Sequence, residues 1–94
     1  MLPKHRIPTH PGEILQEEFL TPLEMTQSTL AEKMRVPVQR VNTLIAGKRD
    51  MTPETALLLS QVFKMSAEFW MNLQTAHDLA IAREKMSDKK AVHV

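Results

Sequence analysis

The stretch TQSTLAEKMRVPVQRVNTLIAG, from Thr26 to Gly47, decides the fold. Thr26 is a good helix cap, because its hydroxyl takes an amide proton from the first turn, and Met25 before it packs on Leu30 as a hydrophobic staple. These signals predict a helix over Gln27 to Met34 whose buried side is Leu30, Ala31 and Met34. Pro37 disfavours helical backbone at Val36 and suits the opening turn of a new helix, so the break is short. The next helix, Pro37 to Ala46, buries Val41, Leu44, Ile45 and part of Val38. It leaves Gln39, Arg40, Asn42 and Thr43 on the opposite side, and Gly47 ends it. Two short helices joined by a tight turn, with a polar outer side on the second, make a helix-turn-helix. That second helix has the diameter to enter a DNA major groove.

Working outward, the pattern stays helical. Pro11 and Glu13 suit a first turn, predicting a helix over Pro11 to Leu20 with Ile14, Leu15 and Phe19 inward and a stop enforced by Pro22. Thr52, Pro53 and Glu54 open another helix that runs to Phe63, with Leu57, Leu58, Val62 and Phe63 inward. Ser66 caps the last, which carries the stripe Phe69, Leu73, Ala76 and Ala80 to about Lys85. The expectation is an all-α, five-helix domain over residues 11–86, with the helix-turn-helix at about 26–46. Residues 1–10 read as an extended arm and 87–94 as a flexible tail.

Composition excludes several classes of function. With 94 residues the chain is one domain, and its core uses most of the apolar residues, leaving few to line a substrate pocket. It has no cysteine for a disulfide, thiol nucleophile or zinc finger. Its two glycines, Gly12 and Gly47, are too few for a phosphate-cradling loop. The four histidines form no His-x-x-x-His pair, so neither metal nor cofactor is expected. Glu17 and Glu18 are neighbours that diverge on a helix, so they are no general acid and base pair, and an enzyme is not expected. The longest apolar run, Ala56 to Leu59, cannot span a bilayer, and Pro3, Lys4, Arg6 and Pro8 interrupt any signal peptide. A cytoplasmic protein without membrane contact is the expectation.

The net charge of +1 hides a strong segregation. Residues 13–32 hold Glu13, Glu17, Glu18, Glu24 and Glu32 and no Lys or Arg. Residues 33–49 hold Lys33, Arg35, Arg40, Lys48 and Arg49 and no acid. The basic block is either a solvated face or a surface turned toward phosphates, and it coincides with the helix-turn-helix. On the second reading Gln27, Lys48 and Arg49 meet phosphates, while Gln39, Asn42 and Thr43 meet bases with a methyl contact from Val38. Arg40 suits either role. Asn and Gln pair with adenine through two hydrogen bonds, each good pair discriminating by about 1–3 kcal/mol. The methionines are expected as core fillers. Phe69 and Trp70 diverge by about 100° on a helix, so Trp70 is either core or the candidate contact of a homodimer.

The run Thr26-Gln27-Ser28-Thr29-Leu30-Ala31, followed by Val36, Val41, Leu44 and Gly47, resembles the Xre or Cro-type helix-turn-helix family. Within it, His10 to Leu15, Thr52 to Leu57 and Ser66 to Gln74 resemble the HigA-like (VapI-like) antitoxins over residues 10 to about 82. The resemblance implies a dimer that binds a palindromic double-stranded operator in its own promoter and neutralises a RelE-like ribonuclease toxin, a small basic protein. It also implies DNA contacts at Gln27, Val38, Gln39, Arg40, Asn42 and Thr43. The acidic block complements a cationic toxin, which makes Glu17 and Glu18 candidate toxin contacts. A stand-alone repressor without a toxin is the alternative. Two positions depart from the family, which usually has Gly where Arg35 and Lys64 stand. Arg35 in the turn is placed to reach a phosphate.

Overall fold

The computed structural model describes residues 8–89, and all regular structure among them is helical. The first rod, α1, joins an α-helical turn (Pro11–Ile14), a π-helical segment (Leu15–Leu20) and a short α-helical end (Thr21–Leu23). His10 caps it, its Nδ1 accepting from the Gly12 N–H at 2.9 Å. Pro22 does not stop this helix at Leu20 as expected, because the preceding turns are wide. In a π-helix each N–H bonds five residues back, as Thr21 does to the Gln16 carbonyl, and the wider spiral accommodates a proline ring. The same spacing brings Leu15 and Leu20, five apart, to the interior together. A left-handed residue, Glu24, then ends the rod.

Helix α2 (Gln27–Met34) matches the expectation, with Thr26 capping the Thr29 N–H at 3.0 Å and Leu30, Ala31 and Met34 buried. It closes with Arg35 in the left-handed region (φ 61), where the Arg35 N–H donates to the Glu32 carbonyl and the Val36 N–H to the Ala31 carbonyl. Lys64 after the fourth helix is also left-handed, at φ 58. Both turns keep the shape that glycine would give them, each at a cost of roughly 1 kcal/mol for its side chain.

Helix α3 (Val38–Ile45) starts one residue later than expected, with Pro37 as its cap and Val41 and Leu44 buried. Its end touches the start of α1 backbone to backbone. A Cβ on Gly12 would lie 1.9 Å from the Leu44 carbonyl oxygen. Helix α4 (Pro53–Phe63) has the expected bounds but a different inner face. Thr55, Ala56 and Leu59 are buried, while Leu57, expected inside, is 57% exposed. Residues 56–59 are apolar without interruption, and one helix face cannot hold four consecutive side chains.

Helix α5 (Ala67–Lys89) begins at Ser66, whose hydroxyl accepts from the Phe69 N–H. Of the two alternatives for Trp70 the structure shows the core one, since the side chain is fully buried and, contrary to the dimer-contact expectation, offers nothing to a partner chain. Phe19 of α1 lies against both aromatics, 5.0 Å from Trp70 and 6.2 Å from Phe69 between ring centres, so diverging neighbours still share one cluster. The inner face runs through Trp70 and Gln74, and Ala76, expected on it, is exposed. The helix also passes the boundary at residue 86 and carries an exposed Met86. Residues 1–7 of the arm and 90–94 of the tail lie outside the described residues. No helix among those described is long and apolar enough to cross a membrane.

Candidate nucleic-acid interface

The polar side of α3 is open. Gln39 and Asn42 are exposed, Val38, Arg40 and Thr43 half-buried, and residues 39, 42 and 43 share one face by helical spacing. Asn42 Nδ2 donates to Gln27 Oε1 at the first position of α2, and Gln27 Nε2 donates to Gln16 Oε1 at 3.2 Å. Gln16 Nε2 in turn donates to Thr21 Oγ1 at 3.0 Å. This chain of amides holds the Asn42 side chain against α2. Among the described residues Asn42 Oδ1 and its second N–H have no protein partner, leaving one acceptor and one donor side by side. Adenine presents the complement, N6–H and N7, in the major groove.

Cations flank this face. Lys48 and Arg49 are exposed in the loop that leaves α3 at Gly47, which has φ 78. Arg49 Nε donates to Thr43 Oγ1 at 3.2 Å, and the same hydroxyl donates to the Gln39 carbonyl at 2.8 Å. Thr43 therefore tethers Arg49 to the helix, and its hydroxyl is engaged inside the chain. Lys33 and Arg35 are exposed at the end of α2. Arg40 is bonded instead to Glu54 Oε1 at 3.1 Å and Thr55 Oγ1 at 3.0 Å.

Two participants were not read from the sequence. Gln16 belongs to the amide chain only through tertiary contact with Gln27, so no local spacing marks it. Gln74 is 4% exposed, and its Oε1 accepts from the Met51 N–H at 2.6 Å while its Nε2 donates to Asp78 at 2.9 Å. It thereby pins the end of the basic loop to α5. Its signal was its place in the Ser66 to Gln74 motif.

The acidic residues Glu13, Glu17, Glu18, Glu24 and Glu32 are all exposed. His10 and His77 meet edge to face at 5.2 Å, and His77 Nδ1 donates to the Pro8 carbonyl at 2.7 Å. Burial pushes the His10 pKa below the ordinary imidazole value, and His77 adds to this, while Asp50, Asp78 and Glu13 oppose it.

The sequence profile described as Helix-turn-helix matches residues 16–70. Virulence-associated protein I of Dichelobacter nodosus is 38% identical over 97% of this chain and 82% of its own length. Antitoxin HigA-1 of Vibrio cholerae is 37% identical over 89% of this chain and 79% of its own. The solved structure of Pseudomonas aeruginosa antitoxin HigA with the higBA promoter superposes with a TM-score of 0.86 at 34% identity, covering 93% of this chain and 95% of that one. Two of these relatives are named as antitoxins, and one of the two was solved with promoter DNA. With five helices among the described residues, an exposed amide-bearing third helix and these likenesses along nearly its whole length, the chain belongs to the HigA-like (VapI-like) antitoxins of the Xre/Cro-type helix-turn-helix family.

Proposed function

We propose that this chain is the antitoxin of a toxin-antitoxin pair that binds operator DNA as a dimer, represses its own operon and neutralises a small basic RelE-like ribonuclease. The observation that carries the DNA reading is the Asn42–Gln27–Gln16 amide chain on an exposed helix face beside Lys48 and Arg49. The related Pseudomonas antitoxin, solved with promoter DNA, supports it. Gln39 and Asn42 read bases, with Val38 and the methyl of Thr43 offering apolar contact to thymine. Gln27, Arg35, Lys48 and Arg49 hold phosphates. A dimer sets two such helices one turn of the duplex apart, roughly 34 Å. With Trp70 interior, we assign the dimer contact to Leu79 and Met86, exposed and seven apart on one face of α5.

Gel shift on a duplex from immediately upstream of the gene tests this reading. Replacing Gln39 and Asn42 by Ala is expected to abolish the preference for that duplex over random sequence. Lys48→Ala is expected to weaken all duplexes alike and flatten the salt dependence by about one unit per protomer. Unchanged preference in the double variant overturns the base-reading roles.

The toxin reading rests on family membership and on the exposed acids. Glu17 and Glu18 are its assigned contacts, and Lys at both is expected to lower inhibition of the ribonuclease encoded beside the gene. Undiminished inhibition removes that assignment. A chain that retards its promoter but binds no neighbouring toxin is instead a stand-alone repressor.

A further inference from the structure

Arg40 differs from the other four cations of the basic block in being tied to another helix. Its side chain is 24% exposed, and a single nitrogen, Nη2, donates to both Glu54 Oε1 and Thr55 Oγ1. Thr55 is 3% exposed and its hydroxyl also meets that of Thr52, the cap of α4, at 3.1 Å. Among the described residues Arg40 Nε is buried without a partner, so the guanidinium is held through its two Nη2 bonds.

We propose that Arg40 touches neither phosphate nor base and is a positioning residue that locks α3 onto the first turn of α4 through Thr55 and Glu54. The inference rests on the operator-binding reading and deepens it. Helix α3 has only eight residues, and its tilt needs fixed points at both ends. The Gly12 contact with Leu44 holds its C-terminal end against α1, and Asn42 joins it to α2. Arg40 supplies the third point, near the N-terminal end, against α4. Moving the guanidinium to a phosphate would break both of its bonds. It would also leave Glu54 without its ion-pair partner.

Thr55 gives the decisive test, because a residue buried to this degree cannot touch DNA. Binding of the upstream duplex and of a random duplex of equal length is measured over a salt series for wild type, Arg40→Gln, Thr55→Val and the double variant. Each single variant is expected to weaken operator binding about tenfold, the double variant no further than either, because the two groups act as one unit. Random-duplex affinity and the salt slope stay at wild-type values, and Thr55→Ser, which keeps the hydroxyl, retains operator affinity. Thr55→Ala replaces Thr55→Val if the latter does not fold. A salt slope flattened by about one unit per protomer in Arg40→Gln would make Arg40 a phosphate contact and overturn the proposal. Lost preference at a single base pair, or a Thr55 variant with wild-type affinity, would overturn it as well. Failure of the wild type to bind the upstream duplex strikes the operator reading itself, an outcome distinct from these.

Discussion

Gly12 is bare because nothing larger fits. The atoms that a Cβ would meet, the Leu44 carbonyl and the Ile45 Cα, are backbone and cannot rotate aside. Gly12→Ala is therefore expected to force α1 and α3 apart and lower stability by about 1–3 kcal/mol in urea unfolding, as overpacking does. At His10 the constraint is protonic. Its Nδ1 accepts the Gly12 N–H, so adding a proton there removes the cap and places a cation at a helix N-terminus beside His77. The folded pKa lies below the unfolded one, so the unfolded chain takes up the proton first. This contribution is complete above the unfolded imidazole value of about 6.5 and is lost as the pH falls through the folded pKa. The melting temperature should drop across that window, and His10→Asn, which caps without titrating, should reduce the drop.

Among the elements, α2 and α4 kept their expected bounds because Thr26, Thr52 and Pro53 act through their own backbone neighbours. Where local signals gave way, the reason was tertiary. The π segment of α1 answers to the interior positions of Leu15 and Leu20, and the rotation of α4 to a choice among four consecutive apolar residues. Arg35 and Lys64 lack the glycine that would announce a left-handed turn, so their geometry had to be seen. The face of α3 was legible from its periodicity. The ties that hold it, Gln16 to Gln27 and Arg40 to Thr55, join residues 11 and 15 positions apart on different helices. Gln74 belongs to this scale too, since it joins the loop after α3 to α5. Gln74→Leu leaves the buried Met51 N–H without its acceptor and is expected to cost about 1–3 kcal/mol in thermal or urea unfolding.

At the scale of the molecule, charge and apolar exposure divide the surface. Acids lie on α1, in the turn after it and at Glu32 of α2, cations cluster at the end of α2 and the loop after α3, and exposed Leu79 and Met86 mark α5. Leu79→Lys with Met86→Lys should therefore yield a monomer by light scattering and weaken operator binding, with the random-duplex affinity of each subunit preserved. A dimer that survives both changes would move the contact elsewhere. The wide turns of α1 bear on how such a gene can vary in length. A π-helical turn holds one residue more than an ordinary turn, and here the surplus lies beside the exposed pair Glu17 and Glu18. Losing the codon for Glu18, with Pro22 changed to Ala, would regularise the rod while Leu15 and Leu20 stay inward. The segment is thus a seam where the reading frame can drop a triplet without unravelling the protein, and circular dichroism of that shortened chain should report unchanged helix content.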